Sequence, residues 1–402
     1  MSTSLIYHTQ GLRDYQYVTK KNGAGKIFIT IELKHSCLRC PACGSYDFTS
    51  FFLKERKIKG IPLGNKKTVF IIRVRRLRCR NCGAERQERI SCVPAPKARY
   101  TKALARSVIE MRPKMSIKDV ASHFGLHWDT VKEIEKNYLE RKYRNIRLRD
   151  VEVIGIDEVH TGQGFLTVVR DLNSGAVLHV GEGKGADSLA QLKKRLAVSK
   201  CKIKAVAVDL APSYTAWIKE NIPNANIVYD HFHLIKLMNT KIDNIRRKTM
   251  NEADEEMKKM LKHKRFLFLK NIENLESDGK QELEKLKEMF SDLGTATFMK
   301  ECLRRIYSIA ENRNEAKIAF EHWCKIADET GIGSLVNMAK TIRRHLDGIL
   351  AYWTEGKLTS AGMEGFNNKL RWLIGQAYGY RDDEYFKLKI FDLPTINTRK
   401  AI

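Results

Sequence analysis

The sequence predicts a multidomain α+β architecture, and three features carry that prediction. Two CxxCG knuckles, Cys40-Pro-Ala-Cys43-Gly and Cys79-Arg-Asn-Cys82-Gly, mark a small metal finger. A helix, a Gly-containing turn and a second helix come next. A βββαβαβ order follows, with an acid closing its first and fourth strands, and then a long stretch rich in Lys, Glu and Leu. The expected organisation is a zinc ribbon-like finger over residues 1–95, a helix-turn-helix over 96–150, an α/β domain built from 151–231 and 356–402, and an all-helical insertion over 232–355.

The 402 residues suffice for two or three domains with sizeable cores, and 43% hydrophobic content makes disorder the unexpected state. The formal net charge is +26. Residues 1–150 hold 33 Lys and Arg against 13 Asp and Glu, whereas 151–402 hold 40 against 34, so most of the excess is N-terminal. A folded block that basic points to a polyanion, most often nucleic acid, bound by phosphate neutralisation and counterion release; a solubilising surface is the plainer explanation. There is neither an N-terminal apolar segment ahead of a small-residue cleavage site nor a run of about 18 apolar residues, which argues against a secreted or membrane-spanning protein, and no membrane partner is expected. A cytoplasmic setting is expected, with nucleoid association when DNA is bound. Nine Cys in such a compartment speak against disulfides and for metal ligation by those paired in sequence.

Residues 26–33 (KIFITIEL) read as a strand after the Gly23-Ala24-Gly25 turn. Each CxxC is followed by Gly, which permits the tight turn that lets two thiolates face one ion. Between the knuckles lie strand-like residues 68–74 and turns at Gly60 and Gly64, an inserted hairpin. Cys40, Cys43, Cys79 and Cys82 therefore form a candidate structural Zn²⁺ site with no open position, and Cys37 and Cys92 flank it as possible substitutes. Along residues 71–80 (IIRVRRLRCR) apolar and Arg positions partly alternate, so one face packs while Arg75, Arg76 and Arg78 are offered to phosphate.

Pro94 and Pro96 mark a linker. Residues 101–112 read as a helix closed by Pro113, and Ser116-Ile-Lys-Asp119 has the spacing of a capping box for the next helix, which stops at Gly125. A third helix opens at 126–131 and runs to about Tyr143. This is a helix-turn-helix layout, although an ordinary αα-hairpin would show the same pattern. His127, Trp128, Thr130 and Lys132 are the candidates for DNA contact, with Val131 and Ile134 assigned to the core.

From residue 151 the composition turns from basic to balanced. Val151, Val153, Ile154 and Ile156 form an apolar run ended by Asp157 and Glu158. Buried strands seldom carry an acid unless it is paired, ligated or catalytic. Strands at 165–169 and 176–180, a helix at 187–197, a strand at 203–209 ending on Asp209, a helix at 214–221 and a strand at 226–229 complete the order. In such a sheet the first and fourth strands lie side by side, so Asp157 and Asp209 can meet near divalent ions. Alternate residues on a strand face opposite ways, so only one of Asp157 and Glu158 can point there, and Asp157 is chosen. Asp230-His-Phe-His233 follows the last strand. After the insertion, Glu364, Asn367, Asn368 and Arg371 share one helical face, Lys369 and Arg371 are assigned to DNA contact, 377–381 reads as a turn and 383–391 as a closing helix.

These residues resemble the DDE transposases of bacterial insertion sequences, more narrowly the ISL-three type. The motifs that carry the resemblance are the CPxCG and CxxCG finger, the helix-turn-helix, the GIDE strand, the VDL strand end and the EGxNNKLR helix followed by AYGYR, in this order over nearly the whole chain. The resemblance implies a ribonuclease H-like catalytic domain with Asp157, Asp209 and Glu364 as its acids, Mg²⁺ or Mn²⁺ as the catalytic ion, and structural Zn²⁺ in the finger. Asp230 and His233 correspond to an Asp/Cys-x-x-His segment of related transposases with helical insertions, in a supporting role. It further implies binding to terminal inverted repeats and target DNA as a homodimer or higher oligomer, with strand cleavage and strand transfer. A transposase-derived DNA-binding regulator and a ribonuclease H-like nuclease without strand transfer are the alternatives.

Overall fold

A computed structural model describes residues 3–162, 164–359, 361–377 and 380–394, so part of the expected 377–381 turn lies outside the described residues. The chain divides after Arg144 into two compact units.

In the first unit helix α1 (Thr3–Gln10) precedes strands β1 (Tyr15–Gly23), β2 (Lys26–Leu33), β3 (Phe48–Lys59), β4 (Lys67–Cys79) and β5 (Glu85–Gln87). The sheet order is β1-β2-β4-β3, with β5 also on β4; β2 and β4 run parallel and the other pairs antiparallel. The alternation expected of β4 is present. Phe70, Ile72, Val74 and Leu77 are buried with Ile29, Ile31 and Ile58, while Arg73, Arg76 and Arg78 face outward. β1 and most of β3 were not legible because they carry five Lys among their 21 residues without a clean apolar alternation, and they gain their order from pairing with β2 and β4.

Helices α2 (Lys102–Met111), α3 (Ile117–Phe124) and α4 (Trp128–Tyr143) complete this unit. Thr101 and Ser116 cap α2 and α3 by accepting from the Leu104 and Asp119 amides. Gly125 ends α3 at φ 62°, a left-handed geometry that glycine adopts without strain. Leu104, Val108, Val120, Phe124, Val131 and Ile134 form the small core, so Val131 and Ile134 point inward as expected. Arg112 of the α2 end meets Glu135 of α4 at 2.6 Å, both nearly buried.

The second unit holds a five-stranded sheet made of β6 (Val153–His160), β7 (Phe165–Asp171), β8 (Val177–Glu182), β9 (Ala205–Val208) and β10 (Asn226–Tyr229). Its order is β10-β9-β6-β7-β8, antiparallel across β6, β7 and β8 and parallel across β6, β9 and β10. Helices α5 (Ala190–Val198) and α6 (Pro212–Asn221) make the crossovers. This is the ribonuclease H-like arrangement. The first and fourth strands are neighbours, as expected. One detail differs: Asp157 lies inside β6, which continues to His160 because β7 pairs with it over its whole length. Asp157 is terminal only with respect to β9.

The insertion consists of α7 (His231–Glu252), α8 (Glu255–Leu261), α9 (Arg265–Leu269), α10 (Ser277–Met289), α11 (Ser291–Ile309), α12 (Arg313–Glu329), α13 (Gly333–Arg344) and α14 (Leu346–Thr354). Phe320, Trp323, Leu335 and Met338 are among its buried side chains, continuous with the sheet core. The chain then returns as α15 (Ala361–Gln376) and α16 (Asp383–Asp392). No helix among the described residues is long and apolar enough to cross a membrane.

Gly348 shows how α14 docks. A Cβ there would lie 2.5 Å from the Tyr229 ring and 3.2 Å from the Ile227 carbonyl oxygen, and Tyr229 is itself fixed by a bond to Thr215. Gly348→Ala is expected to lower stability by about 1–3 kcal/mol, the usual range for overpacking, read as an earlier denaturant midpoint with an unchanged slope.

Candidate functional site

The finger thiols converge. Cys40 and Cys43 leave the loop before β3, Cys79 ends β4, and Cys82 sits in the turn before β5. Their Sγ atoms all lie within 4.8 Å of one another, with Cys40 to Cys82 at 3.7 Å and Cys43 to Cys79 at 3.6 Å. A tetrahedral ion with Zn–S bonds of 2.3 Å needs sulfurs roughly 3.8 Å apart, so the four thiols fit a structural zinc. The Cys43 and Ala42 amides hold the Cys40 thiol below its ordinary pKa, whereas against the Ala84 amide the neighbouring thiols push Cys82 up, so the four sulfurs titrate as one group. Cys92 is buried against Tyr15 in the sheet core and stands apart from this group, as does Cys37.

The arginines of β4 are already engaged. Arg75 is half-buried, pairs with Glu32 at 3.0 Å and donates to the Leu33 carbonyl. Arg76 and Arg78 pair with Glu85 at 3.2 and 3.0 Å and remain more exposed. At the start of α4, His127 and Trp128 are exposed, Trp128 at 52%, and Thr130 and Lys132 are half-exposed. His127 lies 3.2 Å from Asp129.

Sequence reasoning missed three lysines beside this turn. Lys59 of β3 donates to the Gly125 carbonyl, and the Lys67 side chain packs over Gly125. Burial, together with the like charges of Lys26 and Lys67, holds the Lys59 pKa below its ordinary value. They come from three separate strands, so no linear pattern could have grouped them.

In the second unit the acids are positioned by strand register. Gly155 of β6 pairs with Ala207 of β9 in parallel. Two residues onward on each chain stand Asp157 and Asp209, on the same side by parity. Asp157 accepts from the Glu158 amide at 2.8 Å and from Asn367 Nδ2 at 2.5 Å, and Asp209 accepts from the Ala211 amide at 3.0 Å. Burial raises the Asp157 pKa and the Asp209 charge adds to it; the Glu158 amide, Asn367 and His233 act in the opposite direction. Glu158 faces the other way, accepting from Tyr214 Oη at 2.7 Å.

α15 reaches this point because Gly155 admits it. A Cβ on Gly155 would come within 3.0 Å of Met363, and Met363, Phe366 and Leu370 share a core with Val159 and Val168. Arg170 bonds the Gly362 carbonyl and lies 4.4 Å over the Phe366 ring. Asn367 is consequently buried against Asp157, and its Oδ1 has no hydrogen-bond partner among the described residues. Glu364 is exposed one turn earlier on the same helix, and Lys369 and Arg371 are exposed, Arg371 bonded to Asn368. The three acids are more widely spaced than the thiols: among the described residues only the four Cys bring three or more metal-ligand atoms within 4.8 Å. Asp230 is buried, caps α7 by accepting from the Phe232 amide, and lies 3.4 Å from His231. Asn367 was the site residue overlooked, although its i+3 spacing from Glu364 was visible.

Residues 154–390 match the ISL3-type DDE transposase family, described as transposase. Residues 95–139 match the helix-turn-helix domain of transposase family ISL3, and 38–82 match the zinc finger of transposases IS204, IS1001, IS1096 and IS1165. A relative in Bordetella parapertussis, the transposase for insertion sequence element IS1001, is 31% identical over 357 residues and is covered, like this chain, over 87% of its length.

Two outcomes follow from the geometry. Purified protein is expected to carry about one zinc per chain by atomic absorption, and Cys79→Ser to lose it together with the thermal transition of the first unit. For Asp157, the raised pKa means that the fold favours the protonated carboxyl, so stability is greatest at low pH and falls as pH rises through that folded pKa. Asp157→Asn keeps the shape and removes the burdened charge. In EDTA its Tm should exceed that of the parent at about pH 8, and the gap should close toward about pH 4, where both side chains are neutral.

Proposed function

The chain belongs to the ISL3 family of insertion-sequence transposases, and from that premise we propose that it binds the terminal inverted repeats of its element and catalyses strand cleavage and strand transfer at Asp157, Asp209 and Glu364. The observation that carries this reading is the parallel register that sets Asp157 beside Asp209, with the Asn367 carboxamide from the Glu364 helix on Asp157.

The donor set suits a hard divalent ion, since it offers carboxylate oxygens together with the Asn367 Oδ1, which has no hydrogen-bond partner among the described residues. Mg²⁺ or Mn²⁺ held by the three acids would supply Lewis acidity, an activated water and neutralisation of phosphate charge. The chain's own groups do the rest. Asn367 fixes the rotamer of Asp157, and His233 lends positive character beside it. Asp157 serves as a ligand once deprotonated, so metal affinity rises with pH. Water attacks the phosphodiester at the element end and releases a 3′-OH; that hydroxyl then attacks a target phosphodiester, displacing the target's 3′-oxygen.

In the first unit, the zinc-supported sheet and the helix-turn-helix read the ends. Trp128, Thr130, His127 and Lys132 open the helix that faces the major groove, Arg76 and Arg78 exchange Glu85 for phosphate, and Lys26, Lys59 and Lys67 add phosphate contacts beside the turn. Arg75 supports the sheet. Lys369 and Arg371 flank the acids and hold the strand being cut. Two ends must be joined to one target, so a homodimer or larger assembly forms on DNA, in the bacterial cytoplasm at the nucleoid.

The test uses duplexes bearing the element's terminal repeat. Mg²⁺-dependent nicking at the end is expected, lost to background in Asp157→Ala and Asp209→Ala with end binding intact, and reduced about 10- to 100-fold in Asn367→Ala. Retained cleavage in both Asp variants would overturn the assignment. Cleavage without joined product, when a 3′-OH end and target plasmid are supplied, would favour a nuclease.

A further inference from the structure

We propose that the cavity at the start of α7 is a pocket for one nucleobase swung out of the DNA duplex beside the bond being cut, an inference that rests on the catalytic reading above. The cavity encloses about 920 Å³, within the usual size of a ligand site, and lies wholly inside the second unit.

Its walls are flat and aromatic. His231 lies 4.3 Å from Phe232, 5.2 Å from Tyr307 and 5.8 Å from Tyr352, measured between ring centroids. Trp353 stacks behind Tyr307 at 5.1 Å, which holds that wall rigid. Phe232 is 48% exposed on the first turn of α7 and lines the cavity. Such surfaces stack on a base without regard to sequence.

Asn239 Oδ1 and Tyr307 Oη of the same cavity are buried with no hydrogen-bond partner among the described residues, as are His231 Nδ1 and Glu301 Oε1, which however lie 3.4 Å from Asp230 and 3.2 Å from Lys300. Buried polar atoms are rarely left so, and a shared orphaning implies a ligand with its own donors and acceptors. Asn239 presents an amide edge, the group that pairs with the hydrogen-bonding edge of a base. An apolar ligand would leave both atoms unsatisfied.

Charge marks the direction from which the ligand enters. Arg304 is neutralised by Glu273 and Glu301, whereas Lys236 and Arg305 line the cavity with no ion pair among the described residues. Those two cations suit the phosphates on either side of an extruded nucleotide. The cavity also lies near the acids along the chain: His231 and Phe232 line it, and Asp230, the residue before them, donates its amide at 3.3 Å to the carbonyl of Val208, the neighbour of Asp209.

The test places 2-aminopurine singly at each position around the cleaved bond in a terminal-repeat duplex and records its fluorescence on binding in EDTA. One position is expected to brighten with the parent protein and not with Phe232→Ala or Asn239→Leu. Both variants should bind the end as the parent does and cut it about 5- to 100-fold more slowly, the range that loss of one base-stacking contact gives. A mismatch at the brightened position should restore much of the rate, because unpairing is then already accomplished; a merely structural role for Phe232 would not respond to it. The proposal is overturned if the parent cuts the duplex with no position brightening, or if both variants cut at the parent rate. If the parent brightens the probe but never cuts in Mg²⁺, the catalytic reading fails and the pocket stands.

Discussion

The pairing of β6 with β9 is the constraint on which the second unit depends. Parallel strands need a long crossover, and here β7, β8 and α5 supply it. The return is a register in which Gly155 opposes Ala207 and two carboxylates emerge side by side. Burial raises the Asp157 pKa, and the Asp209 charge adds to it. The fold therefore holds an arrangement that opposes its own ionisation, and a cation is the partner that relieves it.

Most of that arrangement was legible in the sequence. The βββαβαβ order and the apolar runs ending in acids fixed the adjacency of β6 and β9, because β-branched runs and short Gly turns leave few other topologies. Asp157 was misplaced slightly, as a strand terminus; β7 extends the strand past it, and pairing length is a tertiary property. Glu158, set aside by parity, bonds Tyr214. Asn367 was harder to recognise. Its amide is one of several polar residues on a helical face, and only the docking of Met363 against Gly155 selects it for Asp157. The first unit shows the same division. CxxC spacing and the Ser116 cap are local signals and were readable, whereas the Lys26, Lys59 and Lys67 cluster arises from strand order and was not. The Glu85 and Glu32 partners of the β4 arginines were likewise invisible, since i to i+2 alternation says where a side chain points and nothing of what it meets.

Finger and helix-turn-helix are joined more closely than a linker reading suggests. Thr101, which caps α2, donates its own amide to the Lys59 carbonyl at the end of β3, and the Lys59 ammonium in turn donates to the Gly125 carbonyl at the turn before α4. Arg56 reaches the Ala98 carbonyl across the same seam. The two prolines between sheet and helices thus sit in a segment tied down on both sides, and the orientation of α4 is set by the zinc-bearing sheet rather than by a flexible tether.

The insertion, finally, is more than a spacer between Asp209 and Glu364. α14 lies on β10 through Gly348, and α7 starts from the end of the same strand at Asp230, so the helical body is fixed to the sheet at both its beginning and its end. Because Asp230 is buried and caps α7, the first turn of that helix has little freedom. That turn carries His233 toward Asp157 and His231 and Phe232 toward the aromatic cavity. A rigid element two residues long in its separation of roles cannot move one group without moving the others. The acids and the cavity are accordingly one mechanical piece, and a long insertion at this point in the chain preserves the geometry of the sheet because both of its ends are anchored to the same edge strand.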